Sequence, residues 1–102
     1  MFFASDNTSG AAPEILAAVT AANDGYAASY GADALMDRVR AQVREVFEAP
    51  EAAVFLVPTG TAANALSLAL LTPPWGAVFC HTEAHVAVDE CGAPEFYTGG
   101  AK

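Results

Sequence analysis

The sequence predicts an α/β protein built around a mainly parallel sheet. Two short apolar runs, "AAVFLV" at 52–57 and "AVFC" at 77–80, do not alternate with polar residues. That pattern is typical of strands that are covered on both faces. A helical stretch separates the two runs, and the order strand, helix, strand favours parallel pairing. We therefore expect part of a three-layer α/β unit, with parallel strands near 53–57 and 77–80.

The first half of the chain predicts two helices joined by a loop. Pro13 suits the first turn of a helix over 13–23, and a loop with two tyrosines follows. Asp33 can cap a second helix over 34–48. The apolar residues of that helix share one face at the helical period; they are Leu35, Met36, Val39, Val43, Val46 and Phe47.

The second half alternates between strand and helix signals. Pro50 closes the second helix, and the run 52–57 leads into a third helix, "TAANALSLALL", at 61–71. The turn "TPPWG" ends that helix before the run 77–80. "EAHVAVDECG", at 83–92, is predicted to be helical, and "PEFYTG", at 94–99, to begin a third strand.

Composition limits what kind of protein this is. The chain has 102 residues, enough for one small domain, and 54% of them are hydrophobic. A domain of this size buries only about two-thirds of its surface. The apolar excess therefore predicts an oligomer or one part of a larger chain.

Charge and targeting signals exclude several classes. The net charge is −8 with only four basic residues, so a nucleic-acid backbone would be repelled. No apolar run reaches the roughly 18 residues of a membrane span, and the N-terminus lacks the features of a secretory signal. Cys80 and Cys91 form no disulfide framework. A cytoplasmic protein is the expectation.

The segment Thr59-Gly60-Thr61 is the first candidate site. It follows a predicted parallel strand and precedes a helix, which is where open α/β sheets bind ligands. Helix N-terminal N–H groups attract anions, and Gly60 permits close approach of the backbone. The alternative is an ordinary threonine N-cap. The tripeptide alone leaves both a phosphate site and a plain cap open.

The second candidate is the segment 80–92, "CHTEAHVAVDECG". Its cysteines and histidines lack the paired spacing of a zinc site, and we expect no metal there. One interpretation places His85 and Glu90 on the solvent side of a helix. Another places His85 at the sheet edge near Thr61, where its ring would lie flat against an aromatic ligand. A phosphate together with an aromatic ring points to pyridoxal phosphate.

Four segments in order resemble the N-terminal part of the low-specificity L-threonine aldolase group. This group belongs to the β-eliminating lyase family of fold-type-I pyridoxal-phosphate enzymes. The segments are "SDNTSG", "SYGAD", "AAVFLVPTGTAAN" and "AHVAVDECG", and the resemblance runs from Phe3 to Lys102. It implies that 1–102 is the N-terminal segment and first part of an aspartate-aminotransferase-like large domain. It also implies cleavage of threonine-like β-hydroxy-α-amino acids to glycine and an aldehyde.

The resemblance implies roles for individual residues. Thr59, Gly60 and Thr61 would hold the cofactor phosphate, and His85 would stack on the pyridine ring and act in catalysis. Ser5 would bind the substrate carboxylate, and Tyr30 would line the active site of a homodimer or homotetramer. Glu90 receives no role. Asn7 and Asp89 depart from the family pattern, which leaves the substrate preference open.

Lysine is the informative residue type, because this cofactor chemistry needs a lysine to carry the cofactor. The only lysine is Lys102, the last residue, and a chain end is seldom held rigidly. In the family that lysine lies further along, so we expect this chain to be inactive alone. Two alternatives stay open: another fold-type-I enzyme, of the β-lyase or cysteine desulfurase type, and a non-catalytic binding or assembly module.

Overall fold

A computed structural model describes residues 8–102, and five helices form within that range. They are α1 (Pro13–Ala22), α2 (Ala34–Val46), α3 (Gly60–Leu71), α4 (His85–Val88) and α5 (Ala93–Thr98). The chain divides into two compact units, 1–52 and 53–102. Helices α1 and α2 belong to the first unit, and the other three belong to the second.

The two helices of the first unit confirm the sequence prediction. Helix α1 begins at Pro13, whose fixed φ suits a first helical turn. Helix α2 is capped by Asp33, whose Oδ1 accepts a hydrogen bond from the backbone N–H of Met36 at 2.9 Å. Met36 is also the buried residue of the predicted apolar face. Local capping and helical periodicity therefore determine both elements.

The second unit is organised by the packing of α3 on α5. Ala65 of α3 is completely buried, and Pro94 and Thr98 are the buried residues of α5. Gly76 closes the turn after α3, where its N–H donates to the Pro73 carbonyl at 2.8 Å. A Cβ at this position would lie 2.6 Å from Thr72 Cγ2, so the turn requires glycine.

The expected parallel sheet is not formed among residues 8–102. The runs 53–57 and 77–80 are not assigned as strands, and Phe55 and Phe79 are 83% and 98% exposed rather than buried. A strand exists only when its backbone pairs with a neighbour, and burial on both faces needs two covering layers. The sheet stays a prediction.

One feature of parallel pairing is nevertheless present near the end of the chain. The N–H of Val78 donates to the carbonyl of Lys102 at 2.6 Å, and the N–H of Lys102 donates to the carbonyl of Gly76 at 3.2 Å. Lys102 thus bonds to Gly76 and to Val78, the two residues on either side of Ala77. This pair of bonds is the repeating unit of a parallel ladder. The run 77–80 therefore has one parallel partner position, Lys102.

The prediction of a third strand at 94–99 is wrong, because these residues lie in helix α5. Aromatic residues favour a strand, but two local signals outweigh that preference. Pro94 occupies the first turn, and Gly99 adopts the left-handed conformation that ends helices. The Thr98 hydroxyl also donates to the Pro94 carbonyl at 2.8 Å. The predicted helix at 83–92 is likewise shorter, limited to α4.

Large apolar side chains remain exposed across the second unit, as the composition predicted. They include Phe55, Leu56, Leu70, Leu71, Trp75 and Phe79. Among the described residues, no helix is both long and apolar enough to cross a membrane. The described residues therefore leave each of these apolar side chains largely uncovered.

Candidate functional site

The start of helix α3 is one half of the candidate site. Thr59 is the N-cap residue, and its Oγ1 accepts a hydrogen bond from the N–H of Ala62 at 3.1 Å. The Thr59 carbonyl accepts from the N–H of Ala63 at 3.1 Å. Thr59 therefore acts as an N-cap, one of the two roles considered from the sequence. Its hydroxyl accepts this bond and still has a hydrogen that it can donate to a ligand.

Capping by Thr59 leaves the first two N–H groups of α3 available. By the geometry of an α-helix, the N–H groups of Gly60 and Thr61 have no acceptor within the helix. A Cβ added at Gly60 would meet nothing within 4 Å. Thr61 lines a cavity of about 210 Å³ together with Thr59 and Tyr97. Open donors and open space therefore coincide at the positive end of the helix dipole.

The other half of the candidate site is a hydrogen-bonded cluster of His85, Glu90 and Asn64. Glu90 Oε1 lies 2.9 Å from His85 Nδ1 and accepts a bond from Asn64 Nδ2 at 2.6 Å. Glu90 is only 3% exposed, whereas the His85 side chain is 62% exposed. A buried carboxylate thus connects an accessible imidazole to helix α3.

The environment of Glu90 favours its charged form. The hydrogen bond from Asn64 lowers the pKa of this carboxyl most, followed by the hydrogen bond from His85. Burial acts in the opposite direction, and the charge of a protonated His85 lowers the pKa further; the net result is a lowered pKa. Glu90 is therefore an acceptor in this cluster. Its second oxygen, Oε2, is buried and has no hydrogen-bond partner among the described residues.

A tight turn fixes where Glu90 lies. Cys91 and Gly92 both have positive φ, 51° and 75°, and the N–H of Ala93 donates to the Glu90 carbonyl at 2.9 Å. Two consecutive positive φ angles within such a bond are the mark of a type I′ turn. The chain therefore reverses directly after Glu90 and leads into α5.

The structure links His85 and the start of α3 indirectly. Asn64 lies three residues after Thr61, so the two occupy neighbouring positions on one face of α3. His85 lines a cavity of about 360 Å³ with Asn64 and Ser67, whereas Thr61 lines the separate cavity described above. The expected convergence of His85 and Thr61 on one pocket thus stays a prediction.

The two predicted substrate residues are Ser5 and Tyr30. Ser5 falls outside the described residues. Tyr30 is fully exposed in the first unit, where Tyr30 and Gly31 have φ of 60° and 71°. The N–H of Ala32 donates to the Ser29 carbonyl at 3.3 Å, which makes this a second turn of the I′ kind. A tyrosine rarely adopts positive φ, so this turn holds Tyr30 in an unusual conformation.

Sequence reasoning missed the roles of Asn64 and Glu90. Both residues lie in segments that the sequence analysis singled out, but their partnership joins positions 26 apart. The predicted helix at 83–92 contains Glu83, Asp89 and Glu90, so the sequence alone did not distinguish the buried carboxylate. Among residues 8–102, no three metal-ligating side chains gather into a group.

Comparisons with known proteins show which family the chain belongs to. Residues 3–102 match the beta-eliminating lyase family. The chain is 47% identical over 100 residues to a low specificity L-threonine aldolase of Pseudomonas aeruginosa, and 46% identical to that of a Pseudomonas species. Each alignment covers 98% of this chain and 29% of the relative, so the chain spans less than a third of their length. Because the family match covers nearly every residue, the chain belongs to the beta-eliminating lyase family.

Proposed function

We propose that this chain is the N-terminal part of a pyridoxal-phosphate-dependent aldolase. The complete enzyme would cleave threonine-like β-hydroxy-α-amino acids to glycine and an aldehyde. The observation that carries the proposal is the pairing of an open helix start, Gly60–Thr61, with an imidazole, His85, tied to the same helix. The names of the two relatives support the same reaction.

The residues of the second unit fit the proposed cofactor. A phosphate at the start of α3 would receive hydrogen bonds from the N–H groups of Gly60 and Thr61, with the Thr61 hydroxyl as a further donor. Thr59 would contribute mainly by capping the helix and holding those N–H groups in place. The empty space beside Gly60 is the space that a side chain would otherwise fill.

His85 supplies the acid–base chemistry in this proposal. When bound, the cofactor supplies a sink for the electrons released as the Cα–Cβ bond breaks. His85 would contact the flat ring and accept the proton of the substrate β-hydroxyl. Ser5 and Tyr30 would bind and enclose the substrate. The lysine that carries the cofactor would lie outside this chain. Lys102 would instead pair through its backbone with the run 77–80 in the proposed parallel sheet.

Assembly and location are part of the same proposal. The exposed apolar side chains of the second unit would be covered by further strands and helices of the large domain, or by a second subunit. We propose a cytoplasmic homodimer or homotetramer. Exposure of this surface also predicts that the 102-residue chain associates with itself when it is made alone.

The experiment is to assay the complete enzyme with L-threonine and to measure glycine release and the visible absorbance of the bound cofactor. We expect glycine in proportion to cofactor occupancy. His85→Asn should lower kcat by about 10²-fold or more, because it removes the base, and should lower cofactor occupancy far less. Release of pyruvate and ammonia from serine, with no glycine from threonine, would instead assign the protein to the β-lyases.

A further inference from the structure

We infer that Glu90, anchored by Asn64, is a positioning residue that holds the His85 proton on Nδ1 and leaves Nε2 as the hydrogen-bond acceptor of the site. This inference rests on the proposed function for its catalytic consequence, but its structural part stands on the cluster itself. The carboxylate oxygen is 2.9 Å from His85 Nδ1. An ionised carboxylate has no hydrogen to donate, so the hydrogen between the two atoms belongs to the imidazole.

The second histidine of the chain provides a contrast. His81 Nδ1 accepts a hydrogen bond from the backbone N–H of Glu83 at 3.0 Å. A nitrogen that accepts is unprotonated, so neutral His81 carries its hydrogen on Nε2. Two histidines four residues apart therefore have opposite tautomers, and only His85 offers an unprotonated Nε2.

The anchoring of Glu90 explains why the tautomer is fixed. The carboxylate is buried, it accepts from Asn64 at 2.6 Å, and its backbone begins the type I′ turn at Cys91–Gly92. Rotation of the carboxylate away from His85 would break the Asn64 bond and leave a charge buried without a donor, which is unfavourable. Helix α3 thereby holds the His85 ring through one intermediate residue.

The consequence for the proposed reaction concerns one proton. The proton passes from the substrate β-hydroxyl to His85 Nε2, and the O–H electron pair becomes the second C–O bond of the leaving aldehyde. The pair from the broken Cα–Cβ bond passes to the electron sink. His85 then carries a positive charge, which the Glu90 carboxylate stabilises from the opposite side of the ring. A neutral acceptor in place of Glu90 would preserve the tautomer but not this stabilisation.

The test is nitrogen NMR of histidine-labelled complete enzyme at about pH 8.5, where imidazoles are mostly neutral. We expect His85 to be protonated on Nδ1 and His81 on Nε2, so that His81 is an internal control. Glu90→Gln keeps an oxygen acceptor and should preserve the Nδ1–H form of His85. Glu90→Leu removes the acceptor, so His85 should no longer be held in the Nδ1–H form. Asp89→Asn alters the exposed neighbouring carboxylate and should change the tautomer of neither histidine.

Kinetics provide the second measurement. We expect kcat for threonine cleavage to fall by on the order of 10²-fold in Glu90→Leu and by less in Glu90→Gln, with KM and cofactor absorbance nearly unchanged. Asn64→Ala tests the anchor without altering either ring nitrogen, and it should give a smaller fall. It also serves where Glu90→Leu does not fold.

The outcomes separate this inference from the proposed function. A wild-type His85 protonated on Nε2, or a Glu90→Leu enzyme with an unchanged tautomer and wild-type kcat, would overturn the positioning role. An Nδ1–H tautomer that depends on Glu90, in a protein that releases no glycine from threonine, would uphold that role and remove the aldolase assignment.

Discussion

Helices α2 and α3 begin in the same way but differ in charge. Asp33 accepts from the N–H of Met36 at 2.9 Å, and Thr59 accepts from the N–H of Ala62 at 3.1 Å. Both caps satisfy the same donor of the first turn. Asp33 is a carboxylate, and the first turn of α2 contains a second acidic residue, Asp37. Thr59 is neutral, and the first turn of α3 contains no acidic residue.

The difference shows that a cap and an anion site are separate properties of a helix start. An acidic cap and first turn compensate the positive end of the helix dipole, so α2 has little attraction left for an anion. The neutral Thr59 hydroxyl stabilises the start of α3 and leaves the positive end of its helix dipole uncompensated. Gly60 then leaves space for a ligand, so α3 is the helix start suited to a phosphate.

The largest expected effect on cofactor binding comes from filling the space beside Gly60. Gly60→Val in the complete enzyme should lower pyridoxal-phosphate affinity by about 10²-fold or more, because charge-assisted bonds contribute about 1.5–3 kcal/mol each and two would be displaced. The open surroundings of Gly60 mean that the fold itself should tolerate valine. Cofactor titration by visible absorbance measures the effect.

The matched control is Ala34→Val, which places the same side chain at the first residue of α2. We expect cofactor binding to stay at the wild-type level in that variant. Wild-type occupancy in Gly60→Val would contradict a phosphate site at the start of α3.

A sharper comparison exchanges the two caps. Thr59→Asp keeps a good N-cap but adds a negative charge beside the proposed phosphate, so affinity should fall on the order of tenfold while the melting temperature stays nearly constant. Asp33→Thr, the reciprocal change, should not alter cofactor binding. Equal cofactor affinity of Thr59→Asp and wild type would show that the phosphate binds elsewhere.

The smallest expected effect concerns how α3 is held by Glu90. The pKa of Glu90 is lowered in the folded protein from its ordinary value of 4.5, chiefly by Asn64 and then by His85. Its stabilising contribution is therefore present above pH 4.5 and is lost as the pH falls through the lowered pKa. The difference in free energy of unfolding between wild type and Glu90→Gln should shrink over that acidic window.

Denaturant titrations from neutral to acidic pH measure this difference, and Asp89→Asn is the control for an exposed carboxylate. A difference that stays constant down to the most acidic pH at which both proteins fold would contradict an ionised, hydrogen-bonded Glu90.

Features that depend on nearby residues were predictable from the sequence. The starts of α1 and α2 and the end of α3 match the prediction, because Pro13, the Asp33 cap and the turn "TPPWG" act within one or two turns. The prediction of a strand at 94–99 was wrong because Pro94 and Gly99 favour a helix more strongly than Phe96 and Tyr97 favour a strand. Family membership was also predictable, since four short segments occur in the family's order.

Only the tertiary structure decided which groups meet across the chain. Glu90 became a buried partner of Asn64 and His85 because the turn at Cys91–Gly92 and the packing of α5 on α3 bring distant residues together. No local pattern specifies such a contact, whose free energy depends on burial and on the partner's position. The apolar runs 53–57 and 77–80 show the same limit: sequence sets their preference for a strand, but a strand forms only where another backbone supplies the hydrogen bonds.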